Sequence, residues 1–539
     1  MSRTIRRSAL TAGALSVLLA LTACTGGDPG AEGTGETAES VTVQVELVEG
    51  APLDPYQTDQ PASIAYLANV VDSLTYLNPE SRELEPSLAT AWEVSDDSRV
   101  FTFQLREGVT FSDGEALDAE AVKRNFEGAL ELGAAAVRAN YLAGLESVEA
   151  TGPQEVQLTF SEPNAPFLTY TASTYLGILS PQTWELAPEE RSSEGVVGTG
   201  PFVIDDYAAN QFVELAARDD YDWAPEWAGR TGAAAIKELR FEFVSDSSTR
   251  AQSLSAGQAD IAQGLTVDDA TTVESAGGSI EIATVPGIPT SIALNTDDPV
   301  LQDPAVREAL NLAIDRTTIS EGIFNGAVAP AYGLLTESLV QYVPFEEEFT
   351  ADVARAKSVL DEAGWTETAD GVREKDGTPL QLTLDTVSPY SYTNALVQLV
   401  QSQFAEIGVG LEVVDLIATG EVGDVLQNGG FQALMSNTTD LDGNVLYGKV
   451  SGSEAGEPGA SNSFGLQPGN ELYALLNEQR GQSVEAERTA TLEEAQRLIV
   501  DENLLLPLTA VPQVYGLREG VSGIIYNAES RPLFYAATA

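Results

Sequence analysis

Leu380-Gln-Leu-Thr-Leu384, then Leu396, Leu399, Val400, Phe404 and Ile407, then Gly408 and Val409-Gly-Leu-Glu-Val-Val414 decide the fold class. The first run alternates apolar and polar residues, as a strand does. The second set recurs at helical spacing along one face, and Gly408 is a stop signal. The third run is strand-like again. Strand, helix, strand within about 35 residues is a βαβ unit, which implies a parallel pair joined by a right-handed crossover. Outward from it, Val41–Leu47, Phe101–Leu105, Val156–Phe160 and Leu239–Phe243 alternate as strands. Helical stretches lie at 119–132, 352–362 and 485–500, and the expectation is a mixed α/β protein.

The chain has 539 residues, enough for two to four domains of about 150 residues. Acids number 82 against 27 bases, a net charge of −55. Such a surface repels phosphate backbones and anionic lipid, so no nucleic-acid partner is expected. Histidine is absent and Cys24 is the only cysteine. That removes Ser-His-Asp triads, imidazole or thiolate metal sites and intrachain disulfides. Neither a cofactor nor a metal site is expected. Chemistry on paired carboxylates survives the count, but no distinctive motif supports a secreted hydrolase.

The N-terminus reads as an address. Arg3, Arg6 and Arg7 precede an apolar run from Ala9 to Leu21, the pattern of a signal peptide. The run ends in Leu21-Thr22-Ala23-Cys24, which resembles the bacterial lipoprotein lipobox. Arg6-Arg7 matches a twin-arginine signal only weakly, because Ser-Ala-Leu follows. The lipobox resemblance implies a leader over 1–23 and an acylated Cys24 at the mature N-terminus. Removing the leader's three arginines leaves 82 acids against 24 bases. Residues 24–40 then form an acidic flexible tether with almost nothing to bury. No later apolar run is long enough to span a membrane.

Several blocks carry a family resemblance. They are Leu53-Asp54-Pro55, Val71–Thr75, Glu85–Asp97 with Trp92, Phe101–Gly114, Ala119–Val122, Val197-Gly-Thr-Gly-Pro201-Phe, Arg250–Asp260, Val306–Arg316 and Ala354–Gly364. In this order they resemble the extracytoplasmic solute-binding proteins of the peptide/nickel/opine class of ABC importers, over roughly residues 41–520. Read physically, most of these blocks are structural. Trp92, Phe101, Phe103 and Phe111 read as core, and Ser112-Asp113-Gly114 as a turn. Gly198-Thr-Gly200-Pro201 lacks the lysine and helix of a phosphate loop. Asp315-Arg316 reads as a helix end carrying a weak local ion pair.

The resemblance implies a bilobal, hinge-closing, periplasmic-binding-protein-like fold with mixed sheets. Lobe I would take 41–84, 198–285 and 510–539, an inserted subdomain 85–197, and lobe II 286–509. Chain crossings near 285 and 510 would form the hinge.

Peptide-binding members carry an amine-holding acid after a second-lobe strand, in a Trp-x-x-Asp-x-x-Asp-Pro segment. Here Ser436-Asn437-Thr438-Thr439-Asp440-Leu441-Asp442-Gly443 stands in its place, without the tryptophan or the proline. Asp440 is the matching acid and Asp442 the second, with Asn437 and Thr438 beside them. Leu53 and Asp54 open a loop that faces the cleft in the family. Thr290 and Ser291 begin lobe II. Tyr390 and Tyr392 precede the helix at 394–407, whose free N–H groups suit an anion.

The resemblance thus implies a lipid-anchored, monomeric, non-enzymatic receptor on the outer face of the cell membrane. It would capture a small solute, a peptide by default, and pass it to permease subunits. A nickel chelate, opine, siderophore or oligosaccharide, or a sensor or adhesion role without transport, are the alternatives.

Overall fold

The computed structural model describes residues 40–47, 52–388, 390–422, 425, 430–453 and 462–539. Cys24 and the tether up to residue 39 lie outside them. Two large sheets organise the body. The first has seven strands, in the order Ser279–Thr284, Pro512–Leu517, Ile261–Gln263, Ser40–Val45, Glu238–Phe243, Phe212–Ala217, Phe202–Ala208. Its central strand, Ser40–Val45, runs parallel to both neighbours. The second has five strands, in the order Gly410–Asp415, Gln381–Thr386, Ala433–Thr439, Gly287–Leu294, Leu505–Thr509.

The βαβ unit sits in the five-stranded sheet. Gln381–Thr386 pairs parallel with Gly410–Asp415 across the Thr393–Glu406 helix. Leu396, Val400 and Phe404 of that helix are buried with Leu382 and Leu384 of the strand. Apolar residues at intervals of four bury one helical face on the sheet, which is why the periodicity was legible. A separate four-stranded antiparallel sheet lies within residues 89–160. Its Phe101, Phe103, Val156 and Leu158 share one core with Val41, Val43, Leu239 and Phe241 of the seven-stranded sheet. The inserted region therefore packs as part of the first half of the molecule.

The chain crosses between the two large sheets twice. Ser279–Thr284 ends in one sheet and Gly287–Leu294 begins in the other; Leu505–Thr509 and Pro512–Leu517 make the return. The crossings meet, since Val285 N donates to Val511 O at 3.0 Å. Gly287 adopts φ +121°, and a Cβ there would lie 2.0 Å from Thr438 O. Only glycine fits this junction.

Two local readings change and one is made concrete. Trp92 is half-buried at the edge of the core, whereas Phe101, Phe103 and Phe111 are fully buried. Asp315 caps the following helix through Thr318 N at 3.0 Å, and makes no ion pair with Arg316. Arg316 is buried and donates instead to Pro507 O, Phe349 O and Asn311 Oδ1. Gly198 and Gly200 press against the Val70 backbone, so this loop is a packing element.

Candidate ligand-binding site

The Ala433–Thr439 strand runs antiparallel to Gly287–Leu294 and delivers Asp440 to the crossing. Asp440 N donates to Pro286 O at 3.2 Å. Its side chain accepts Asp442 N at 3.1 Å and is 5 % exposed. Burial pushes the Asp440 carboxyl up to about 7, against the attraction of Arg138 and with the repulsion of Asp442. Asp442 is fully buried and doubly bonded to Arg488, with Nη1 to Oδ2 at 2.8 Å and Nη2 to Oδ1. Arg488 in turn donates Nε to Gln479 Oε1 at 2.9 Å.

Residues of the other half face Asp440. Tyr141 and Tyr170 stack with centroids 3.8 Å apart. The Tyr170 hydroxyl accepts Asn444 Nδ2 at 3.2 Å, a contact between the two halves. Burial and then the Asp440 charge hold both phenols well above their ordinary range. The Arg138 guanidinium lies over Tyr175 at 4.6 Å. Burial works against its charge, but Tyr141, Tyr175, Asp440 and Glu529 together raise its pKa. Its side chain makes no ion pair or hydrogen bond among the described residues, and Nε is enclosed without an acceptor. Glu529 is buried and accepts Ser173 Oγ at 2.6 Å and Thr174 N at 3.2 Å. A buried acid near neutrality and a half-buried guanidinium without a hydrogen-bonded acceptor among the described residues thus lie within electrostatic reach of each other. Such a place binds opposite charges strongly.

The structure brings some of the expected residues together. Asn437 Nδ2 donates to Tyr390 Oη at 3.4 Å. Tyr390 stacks on Tyr392 at 5.3 Å. The Tyr392 and Thr290 hydroxyls are enclosed without a well-formed hydrogen bond. Thr438 stands beside Asn437 on the same strand, paired with Ile288.

Four of the expected residues are engaged inside the protein. Leu53 is fully buried core, its N–H given to Ser192 O at 2.9 Å. Asp54 is fully buried and taken by Arg191 Nε (2.8 Å), Tyr56 N (2.9 Å) and Gln57 Nε2 (2.6 Å). Asp442 is buried and held by Arg488. Ser291 Oγ turns back to Pro289 O at 2.8 Å. All four are buried, and the polar groups named here are bonded within the protein. Arg138, Tyr141, Tyr170, Tyr175 and Glu529 escaped the sequence reading, since Val137-Arg138-Ala-Asn-Tyr141 matches no motif.

Comparison with known proteins agrees with this architecture. The profile described as "Bacterial extracellular solute-binding proteins, family 5 Middle" matches residues 83–448. The glutathione-binding protein GsiB of Escherichia coli (strain K12) is 29% identical over 374 residues, 69% of each chain. NikA from Brucella suis, solved in complex with Fe(III)-EDTA, superposes with a TM-score of 0.80 at 24% identity, covering 93% of this chain and 99% of that one. The oligopeptide-binding protein AppA from Bacillus subtilis, solved with a nonapeptide, gives 0.70 at 22% identity, covering 92% and 97%. The fold is therefore the bilobal one of periplasmic binding proteins, and each large sheet with its flanking helices forms a lobe. The family profile spans more than half of the chain, and the protein belongs to the family 5 bacterial extracellular solute-binding proteins, the receptors of ABC importers.

Proposed function

We propose that this receptor binds a small solute bearing both an amino group and a carboxylate, a short peptide first among them. The solute is captured between the lobes by binding alone, without turnover, and handed to the permease by a monomer tethered through acylated Cys24. The observation that supports the reading is the cross-lobe cluster. Asp440 offers a desolvated carboxyl to an ammonium, and Arg138 offers an unpaired guanidinium to a carboxylate. A solute that satisfies both favours the closed state, because an open cleft presents only one partner at a time. The relatives named for glutathione and the neighbour solved with a nonapeptide are in keeping with a peptide.

Mass spectrometry of the solute that co-purifies from native cells identifies the ligand and shows whether it leaves intact. Calorimetry with that solute should then show Asp440→Asn and Arg138→Gln each losing about 2–5 kcal/mol, roughly thirtyfold to several-thousandfold in affinity. Losses under threefold for both variants would place the ligand elsewhere. Cys24→Ala should release the protein into the medium or leave it unprocessed. A processed, membrane-bound variant would refute the anchor.

A further inference from the structure

Arg531 lies in the C-terminal segment that returns to the hinge and is 2 % exposed. Its N–H donates to Asn527 Oδ1 at 2.9 Å. The segment is pinned by Ser530 Oγ on Thr284 O at 2.6 Å and by Tyr515 Oη on Ser530 O at 3.0 Å. Among the described residues its guanidinium forms no ion pair or hydrogen bond, and Nε and Nη1 are both enclosed without an acceptor. Glu529, two residues away, is engaged by Ser173 and Thr174. In a chain with 82 acids, a buried guanidinium without one is anomalous.

The charge of Arg531 reaches Tyr390 in the second lobe and Tyr515 in the first. Tyr390 stacks on Tyr392, whose hydroxyl faces that of Thr290, and both are enclosed without a well-formed hydrogen bond. Arg138 has different surroundings, namely Tyr141, Tyr175, Asp440 and Glu529. The cleft therefore holds two unpaired guanidiniums in two settings.

We infer that Arg531 forms a second anion subsite, which takes an acidic oxyanion of the solute, carboxylate or phosphate ester, with the Tyr390 phenol within reach of it. The inference rests on the cleft being the binding site. It narrows the solute to one with at least two acidic groups, one for each guanidinium.

The test loads wild type, Arg531→Gln, Arg531→Lys, Arg138→Gln and Asp440→Asn with a small-solute extract of native cells. After washing, retained solute is released by denaturation and identified by mass spectrometry, and melting curves confirm that each variant is folded. Wild type should retain a solute with two or more acidic groups, its phosphorus content separating phosphate from carboxylate. Arg531→Gln should retain at least tenfold less, with Arg531→Lys between the two. A solute with one acidic group or none, or equal retention by Arg531→Gln, overturns the subsite. The acid count is read on wild type and so survives a variant that fails to fold. Arg138→Gln and Asp440→Asn separate the two readings. If they lose the solute while Arg531→Gln keeps it, only the subsite falls. If all three retain it as wild type does, or if wild type retains nothing, the cleft is not the site and both readings fall.

Discussion

Asp440 keeps its proton in the ligand-free cleft up to about neutral pH, because burial outweighs the attraction of Arg138. Its carboxyl lies at about 7 when folded, against an ordinary value of 3.8. Between these limits the folded state binds more protons than the unfolded one, so this residue's contribution to stability falls as pH rises. The full effect is reached above pH 7 and amounts to about 4 kcal/mol at most. Asp440→Asn should therefore match wild type near pH 4 and be more stable by up to that amount at pH 8, measured by urea unfolding of the ligand-free protein. A gain of equal size at both values would mean that burial does not control this carboxyl. Asp442 behaves in the opposite way. Asp442→Asn leaves buried Arg488 with only the exposed Glu485, 3.8 Å away, as counter-ion and should cost about 3–5 kcal/mol at neutral pH. A change under 1 kcal/mol in the same unfolding measurement would contradict the pairing. Two aspartates two positions apart in one loop thus have different jobs. Nothing in Asp440-Leu441-Asp442 tells them apart, because the discriminating partners are Arg488 on a later helix and Arg138 in the other lobe.

The elements that carry the site were legible where one face of each is buried. The Thr393–Glu406 helix and its flanking strands announced themselves by apolar spacing. Strand partners were not legible. Ile261–Gln263 is a three-residue strand wedged between Ser40–Val45 and Pro512–Leu517, and too short for a period to show. The crossing at Gly287 depends on contact between elements. The strand start must approach Thr438 O so closely that only a residue without Cβ fits. Gly287→Ala should cost at least about 1–3 kcal/mol of backbone strain, with the clash in addition. Thermal unfolding checks this, and a melting temperature equal to wild type would show that the crossing relaxes freely.

In the whole molecule the lobes touch beyond the cleft. Ala165 N donates to Arg480 O at 2.7 Å, Arg82 Nη1 to Leu339 O at 3.4 Å and Ser483 Oγ to Asp96 O at 3.3 Å. Asn444 on Tyr170 adds a fourth such contact. Only the Ser483 contact is exposed, the others being at least partly buried; a solute that bridges the lobes would add to them. Small-angle scattering should show a smaller radius of gyration once the co-purified solute is restored to protein stripped of it. An unchanged profile at saturation would count against ligand-linked closure.

Alternation at 380–384 and 409–414 and the ordered family blocks made the fold class and the family legible, and the absence of histidine excludes imidazole chemistry by count. These are properties of neighbours in the chain or of simple counts. Which charges are free was decided by tertiary structure alone. Asp54 is lost to Arg191 across 137 positions, and Asp442 to Arg488 across 46. Among the described residues the Arg138 and Arg531 side chains form no salt bridge or hydrogen bond with an acid, in a chain crowded with acids. A carboxylate or guanidinium becomes a binding group only when folding buries it and gives it no partner. That depends on residues hundreds of positions apart, and no local pattern records it.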